Sequence, residues 1–384
     1  MGYRWTMLLL SMVVSLPTGT TGQDLPERQP AEVFRIGGIH APDYAAWSRR
    51  PDIVASPGDT VFVRSLSPPA ISVFGPGGGH LRTIGRQGEG PGEFRLPIRH
   101  GLLGDTLWVL DLALFRLSTF LPDGRHLRTR RVEPIDLGTP LSAPHTMTAL
   151  LQGPYALAVP LAHPRNEGRG RLPVLVGDRE FRDSRSVLEV VRPSSMHIPK
   201  VGSFSMVPFR IPPFVGVAGN GKGFVAANWR EEWRGVLRVT RFAPSGEVKW
   251  VRRVRRPVTP VPHEIRDSLV SEGLRLARPH LQGARARGTL GGDSFRDLVT
   301  EGLGIPTHFP PASSIVVGRD GSVWIPSGEL TDPVQWLVLD VRGEPSFTVR
   351  FPQAFSVREA RLGCVWGTTV DSLDVPYVVR FHIR

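Results

Sequence analysis

Residues 58–63 read Gly58-Asp59-Thr60-Val61-Phe62-Val63, and residues 104–111 read Gly104-Asp105-Thr106-Leu107-Trp108-Val109-Leu110-Asp111. Each is followed by a second apolar run, Ala70-Ile71-Ser72-Val73-Phe74 in one case and Leu117-Ser118-Thr119-Phe120 in the other. A turn comes next, Gly75-Pro76-Gly77-Gly78-Gly79 or Pro122-Asp123-Gly124-Arg125. The chain then returns through the same tetrapeptide, His-Leu-Arg-Thr, at 80–83 and at 126–129. Short β-branched and aromatic runs bounded by Gly, Pro and Asp are strands and hairpins. Their recurrence after 46 residues is the period of a four-stranded propeller blade.

Working outward, the same grammar recurs more weakly. Gly223-Phe224-Val225-Ala226-Ala227-Asn228 and Val236–Phe242 precede the turn Pro244-Ser245-Gly246-Glu247. Ser314–Val317, Ser322–Pro326 and Trp336–Asp340 alternate with turns at Asp320-Gly321 and Arg342-Gly343-Glu344. Residues 150–195 have room for one more blade. The tail, from Glu359-Ala360-Arg361-Leu362 to Tyr377–Ile383, reads as an incomplete blade. Glu32-Val33-Phe34-Arg35-Ile36, near the other end of the chain, is predicted to supply its missing strand and close the ring, leaving no open array edge. The β grammar breaks at 258–309. There Ile265, Leu269, Val270 and Leu274, and then Phe295, Leu298, Val299 and Leu303, fall at helical spacing. The first helix is predicted from Pro262 to about Arg278, and the second to start at a capping box of Ser294 and Asp297. We read 258–309 as a helical insertion between late blades, either a brace on the ring or a lid over its channel.

The stretch Ile84-Gly85-Arg86-Gln87-Gly88-Glu89-Gly90-Pro91-Gly92-Glu93-Phe94, with Pro97 behind it, resembles the glycine-rich loop of an NHL-type repeat. The closing Val375-Pro376-Tyr377-Val378-Val379-Arg380 resembles the last blade of exported bacterial six-bladed propellers. The resemblance is specific over about 58–130. It implies an all-β, six-bladed β-propeller whose inter-blade loops and central channel bind proteins, glycans or small molecules. It also implies that the segment after the Gly-Glu-Phe loop enters the innermost strand, which would place Arg95, Arg99 and His100 near one channel mouth.

The chain of 384 residues carries 42 Gly and 37 Pro, which punctuate apolar runs as turns do. Its net charge of +12 is nearly all arginine, with lysine at 200, 222 and 249 alone. The arginines are scattered apart from Arg252, Arg253, Arg255 and Arg256, which reads as a solvated surface and codon bias, not a nucleic-acid face. Residues 1–22 read as a signal peptide: Arg4, an apolar run from Met7 to Leu16 too short to span a bilayer, then Thr20 and Gly22 at the cleavage positions. An uncleaved anchor is the alternative, and the absence of a cysteine after the apolar run argues against a lipid anchor. A periplasmic or secreted chain with no integral span after cleavage, its propeller domain covering 31–384, is the expectation. Cys364 is the single cysteine, so no intrachain disulfide forms and the thiol is expected to be a small buried hydrophobe.

Chemical motifs are sparse. The glycine run 85–92 lacks the following helix of a phosphate cradle, and Glu89 and Glu93 would repel phosphate, so it reads as an inter-blade turn. His263-Glu264-Ile265-Arg266-Asp267 begins like a zinc-protease helix, with Asp in place of the second His, and acidic residues at a helix start explain it without a metal. No Gly-x-Ser-x-Gly is present. The candidate ligand-binding residues are Arg95, Arg99 and His100, suited to an anion, and Asn228, Trp229 and Trp233, whose rings can stack a sugar or peptide. Together these predict a non-catalytic exported binding protein with no cofactor, its partner a protein, a glycan or an anionic small molecule. The alternative is a hydrolase or lyase with a divalent metal in the channel, as some propellers resembling lactonases or amidating lyases hold calcium or zinc there.

Overall fold

In a propeller, a strand sandwiched between two neighbouring blades buries both faces, so successive side chains must serve different neighbours. The second strand of the first blade shows this. Val61 and Val63 pack with Ile36, Trp366 and Val378 of the last blade, while Phe62 packs with Leu102, Leu107 and Val109 of the next. The computed structural model describes residues 25–132, 145–160, 171–178, 183–191, 196–198, 201–204, 214–257, 259–290, 294–329 and 333–384. The predicted signal peptide at 1–22 lies outside them.

Six antiparallel sheets form the ring. Blade 1 runs Asp52–Ala55, Val61–Leu66, Pro69–Phe74 and His80–Ile84; blade 2 runs Pro97–Leu103, Thr106–Asp111, Arg116–Phe120 and His126–Arg131. Blade 3 is His145–Leu150, Tyr155–Pro160, Arg171–Asp178 and Ser184–Val191; blade 4 is Phe214–Val217, Phe224–Asn228, Val236–Phe242 and Val248–Arg255. Blade 5 is Val316–Val317, Val323–Pro326, Val334–Leu339 and Pro345–Phe351, with Glu27–Arg28 added in parallel at its outer edge. Blade 6 is Ser356–Arg361, Cys364–Val370 and Pro376–Ile383, completed by Pro30–Gly37 from the other end of the chain. The N-terminal closing strand is thus where the sequence placed it, in register from Pro30 opposite Ile383 to Gly37 opposite Tyr377.

Six hydrophobic clusters fill the six blade–blade interfaces, one for each neighbouring pair. Full burial of each large apolar side chain contributes about 1.5–3 kcal/mol. Cys364 is buried in the cluster that joins blades 6 and 1, as expected of a small hydrophobe.

The repeated tetrapeptide has a physical role. In both copies the histidine ring meets the phenylalanine that ends the preceding strand edge-on, at 5.5 Å and 67°: His80 on Phe74, His126 on Phe120. In both copies the histidine also reaches the threonine hydroxyl three residues on, His80 to Thr83 at 3.2 Å and His126 to Thr129 at 2.8 Å.

The arginines are less solvated than their scatter implied. Many donate to the next blade around the ring: Arg64 to Pro97 O (2.7 Å), Arg185 to Ser245 O (2.7 Å), Arg256 to Ile325 O (2.7 Å) and Arg380 to Pro76 O (2.9 Å). In a chain without disulfides these charged donors supplement the apolar interfaces, each contributing on the order of 1.5–3 kcal/mol where buried.

Between blades 4 and 5 stand α1 (His263–Ala286) and α2 (Phe295–Leu303). The insertion is therefore present, with two corrections. α1 continues past Pro279 to Ala286, because Leu281 buries fully against α2 and Ile198, and that burial outweighs the helix-breaking proline. The capping box at Ser294 does not form: Ser294 is the N-cap residue by backbone, but its side chain makes no cap hydrogen bond. The helices pack on each other and on the hairpin Met196–Ile198 and Gly202–Phe204. Glu231 accepts from the Thr307 amide (2.7 Å) and Thr259 donates to Glu329 (2.9 Å), which ties the insertion to loops of blades 4 and 5.

Candidate functional site

The first strand of each blade is the innermost, since these strands pack against one another around the axis: blade 6 on 1, 1 on 2, 2 on 3, 4 on 5 and 5 on 6. An inner strand offers its polar side chains to the channel, and bulges in two that carry charged residues, those of blades 2 and 6, re-aim them. In blade 2 the register slips between Pro97 and Arg99, and in blade 6 between Val357 and Glu359.

Side chains in and beside these strands form a charged cluster. Asp52 of blade 1 accepts from Arg64 at 3.0 Å. His100 of blade 2 contacts Phe62 O through Nε2 (3.2 Å), and its Nδ1 is buried without a partner. Asp52 feels the charges of His100, Arg64 and Arg358. Glu359 of blade 6 feels Arg319 of blade 5 and Asp52 of blade 1. It also lies on Gly219 of blade 4, where an added Cβ would stand 2.7 and 2.9 Å from its two carboxyl oxygens. Groups from blades 1, 2, 4, 5 and 6 converge, which only the axis of the ring permits.

One face of the channel is narrowed by the turns that follow the inner strands. Gln152 N donates to Gly221 O (2.9 Å), Asn220 Nδ2 to Arg319 O (2.6 Å), Arg319 N to Ala360 O (2.9 Å), Leu362 N to Asp320 (2.7 Å) and Arg361 to Asp59 (2.7 Å). The chain of bonds runs from blade 3 through 4, 5 and 6 to blade 1. The other face carries the blade-to-blade linkers and the helical insertion. There a small cavity of about 40 Å³, lined by Trp47 to Asp52 and Arg64 to Ser67, reaches the Asp52–Arg64 pair.

Burial sets the protonation states. It pushes His100 down to about 4, with Arg64 and Arg99 acting in the same direction against Asp52 and the Phe62 carbonyl. It pushes Glu359 up to about 8, helped by Asp52 and opposed by Arg319. Burial alone would raise Asp52, but His100, Arg64 and Arg358 outweigh it and hold that carboxyl below the usual range. At neutral pH the cluster therefore sets four guanidiniums, of Arg64, Arg99, Arg319 and Arg358, against one ionised carboxylate. Arg319 is the most exceptional of them. Its Nε and Nη2 are buried without a hydrogen-bond partner. That same edge binds carboxylates elsewhere in the molecule, Glu32 through Arg35 and Glu272 through Arg275.

The six residues singled out from the sequence fall in different places. Arg99 and His100 stand on the inner strand of blade 2. Arg95 does not join them: it precedes the strand, its amide donates to Asp111 (2.6 Å), and its exposed guanidinium pairs with Glu89 at 2.8 Å. Asn228 ends the second strand of blade 4, a layer out from the axis, opposite Arg238. Trp229 is buried in the core between blades 4 and 5, so its ring is not offered to a sugar. Trp233 ends the short turn Glu231–Trp233 with Arg230 over its ring at 5.7 Å. Asp52, Arg64, Arg319, Arg358 and Glu359 escaped the sequence reading. Their shared signal is a charged residue in or beside an otherwise apolar inner strand, visible once the blades are aligned.

The glycine loop after blade 1 is filled by its own side chains. Glu93 takes the Gly90 amide and Arg86, each at 2.8 Å, and Arg116 donates to Glu89, Gly90 and Glu93 carbonyls. Asp267 on α1 pairs with Arg296. Among the described residues, no three His, Cys, Asp or Glu side chains gather as a metal site, and no helix is long and apolar enough to cross a membrane.

Ring, closing strand and axial cluster together define a six-bladed β-propeller. No family model and no curated protein matches the chain. Among solved structures it is similar to a member of the DUF4221 family from Bacteroides vulgatus, with a TM-score of 0.50 and 8% identity over 94% of this chain and 99% of that one. It is also similar to a candidate exported protein from Bacteroides fragilis (TM-score 0.47, 11% identity, 96% and 98% covered). A third is a calcium-binding regucalcin from Agrobacterium tumefaciens (TM-score 0.42, 8% identity, 93% and 96% covered). At these identities the likeness is one of fold.

Proposed function

We propose that this chain is an exported, non-catalytic binding propeller with NHL-like blades, and that it holds a small anionic ligand in its channel. The observation that carries this reading is the unpartnered Nε and Nη2 edge of Arg319, buried amid an excess of positive charge. A buried guanidinium edge without an acceptor is costly, and a planar oxyanion satisfies both of its donors at once. His100 Nδ1 and Arg64 Nε are two further buried nitrogens without a hydrogen-bond partner in the same cluster. The loop at 84–94 supports the NHL-like assignment of the first two blades, and residues 1–22 support a periplasmic or secreted location.

Thermal unfolding in the presence of acetate, succinate, phosphate and sulfate, against neutral sugars, tests the binding reading. A ligand present at 100 times its Kd stabilises the folded state by about 2.7 kcal/mol. At least one anion is expected to raise the melting temperature of the wild-type protein, and Arg319→Gln should abolish the rise. Melting that no anion shifts, or that shifts equally in Arg319→Gln, counts against the channel as the site. Fractionation of cells expressing the full chain, with and without residues 1–22, tests export.

A further inference from the structure

We infer that the channel takes its anion together with a proton, held on Glu359, and that the anion it fits is a carboxylate. This rests on the channel-binding reading above and adds to it the class of ligand and its dependence on pH.

The geometry around Glu359 is the starting point. It sits on the inner strand of blade 6 directly after the bulged Arg358, and is buried. Its carboxyl lies against the Cα of Gly219, a position that any side chain at 219 would occupy. None of the described residues hydrogen-bonds its oxygens. The charged groups that face it are Arg319 from blade 5 and Asp52 from blade 1, with Arg358 beside it on its own strand; from blade 4 the neutral Gly219 lies against it. Behind Asp52 stand Arg64 and His100, and the latter is uncharged at neutral pH.

Glu359 and the Arg319 edge thus form a paired recognition element. A ligand carboxylate laid on Arg319 accepts two parallel N–H bonds, the planar match of guanidinium and carboxylate. A protonated Glu359 adds an O–H donor for a remaining lone pair of the same carboxylate. An ionised Glu359 does the opposite. It sets two carboxylates against one guanidinium and becomes itself the acceptor that competes for the Arg319 edge. Loss of the proton should therefore expel the ligand, and ligand binding at alkaline pH should draw a proton back. Burial keeps that proton on Glu359 up to about pH 8.

Isothermal titration of the full folded chain with acetate and with succinate, from pH 6.5 to 9.5 and in two buffers of different ionisation enthalpy, tests the inference. The Kd is expected to be flat up to about pH 8 and then to weaken about tenfold per pH unit, with proton uptake approaching one per ligand at the alkaline end. Glu359→Gln should bind with a Kd that does not change over this range and without proton uptake. Sulfate, tetrahedral and lacking the planar match, should bind more weakly than succinate. A wild-type Kd that is constant from pH 6.5 to 9.5, or zero proton uptake, overturns the role of Glu359 even if Glu359→Gln fails to fold. Sulfate binding as tightly as succinate overturns the carboxylate preference. If none of the three anions binds at any pH, the channel-binding reading falls and this inference with it.

Discussion

His100 and Glu359 are displaced in opposite directions by the same cause, the loss of water around an ionisable group. Unfolded, the histidine takes up its proton near 6.5; folded, it stays neutral down to about 4. The unfolded chain thus binds more protons across that window, and stability due to His100 falls as the pH drops from about 6.5 to about 4. Glu359 keeps its proton up to about 8 when folded and releases it near 4.5 when unfolded. Its contribution therefore falls as the pH rises from about 4.5 to about 8. Between 4.5 and 6.5 the two slopes oppose each other; above 6.5 Glu359 acts alone. Urea unfolding midpoints are expected to decline from pH 6.5 to 8.5 in the wild-type protein and to decline less in Glu359→Gln. A decline of unchanged steepness in that variant would assign the effect to another group. The sequence singled out His100 as a channel candidate, but the displaced protonation of both groups is not visible there, and Glu359 in Ser356–Arg361 reads as an ordinary strand residue.

At the scale of the element, the glycine loop after blade 1 shows what a local motif can and cannot specify. Gly85 has φ +73°, and a side chain there would run into the Phe94 ring, which is itself packed edge-on against Phe120 at 5.8 Å. Gly104 has a similar φ of +59° but faces open space. Gly104→Ala should cost about 1–2 kcal/mol, the left-handed penalty alone. Gly85→Ala should cost that plus about 1–3 kcal/mol for overpacking. Equilibrium denaturation of the two variants separates the terms, and equal losses would show that Phe94 yields freely. Both glycines were legible as turn residues, but the overlap with Phe94 was not, because it depends on how the loop folds back onto blade 2. The same limit explains α1. Its spacing was legible, but its end was not, because Pro279 argues locally for a stop while Leu281 gains a fully buried place against Ile198, far off in sequence.

At the scale of the whole molecule, the ring is held shut where blade 6 takes Pro30–Gly37 as its outer strand. Phe34 of that strand meets Trp366 at 5.1 Å, and Arg380 joins the closure to blade 1 through Pro76 O and Asp59. Removing residues up to 37 would expose the backbone edge of Pro376–Ile383, a template for pairing with another chain. The truncated protein should melt at a lower temperature and self-associate, which light scattering coupled to size exclusion measures directly. A truncated protein that stays monomeric with an unchanged melting temperature would mean that the closing strand contributes little.

The blade grammar and the helical interruption were written in the sequence, because each depends on periodicity and turn chemistry within a few tens of residues; the closing strand was legible as the one strand the incomplete last blade lacked. So was the placing of Arg99 and His100 on an inner strand, through the loop that precedes them. The axial cluster was decided only by the tertiary structure. Asp52, Gly219, Arg319 and Glu359 are separated by most of the chain, and only closure of the ring brings them together and removes the water that would otherwise leave Glu359 ionised and Arg319 solvated.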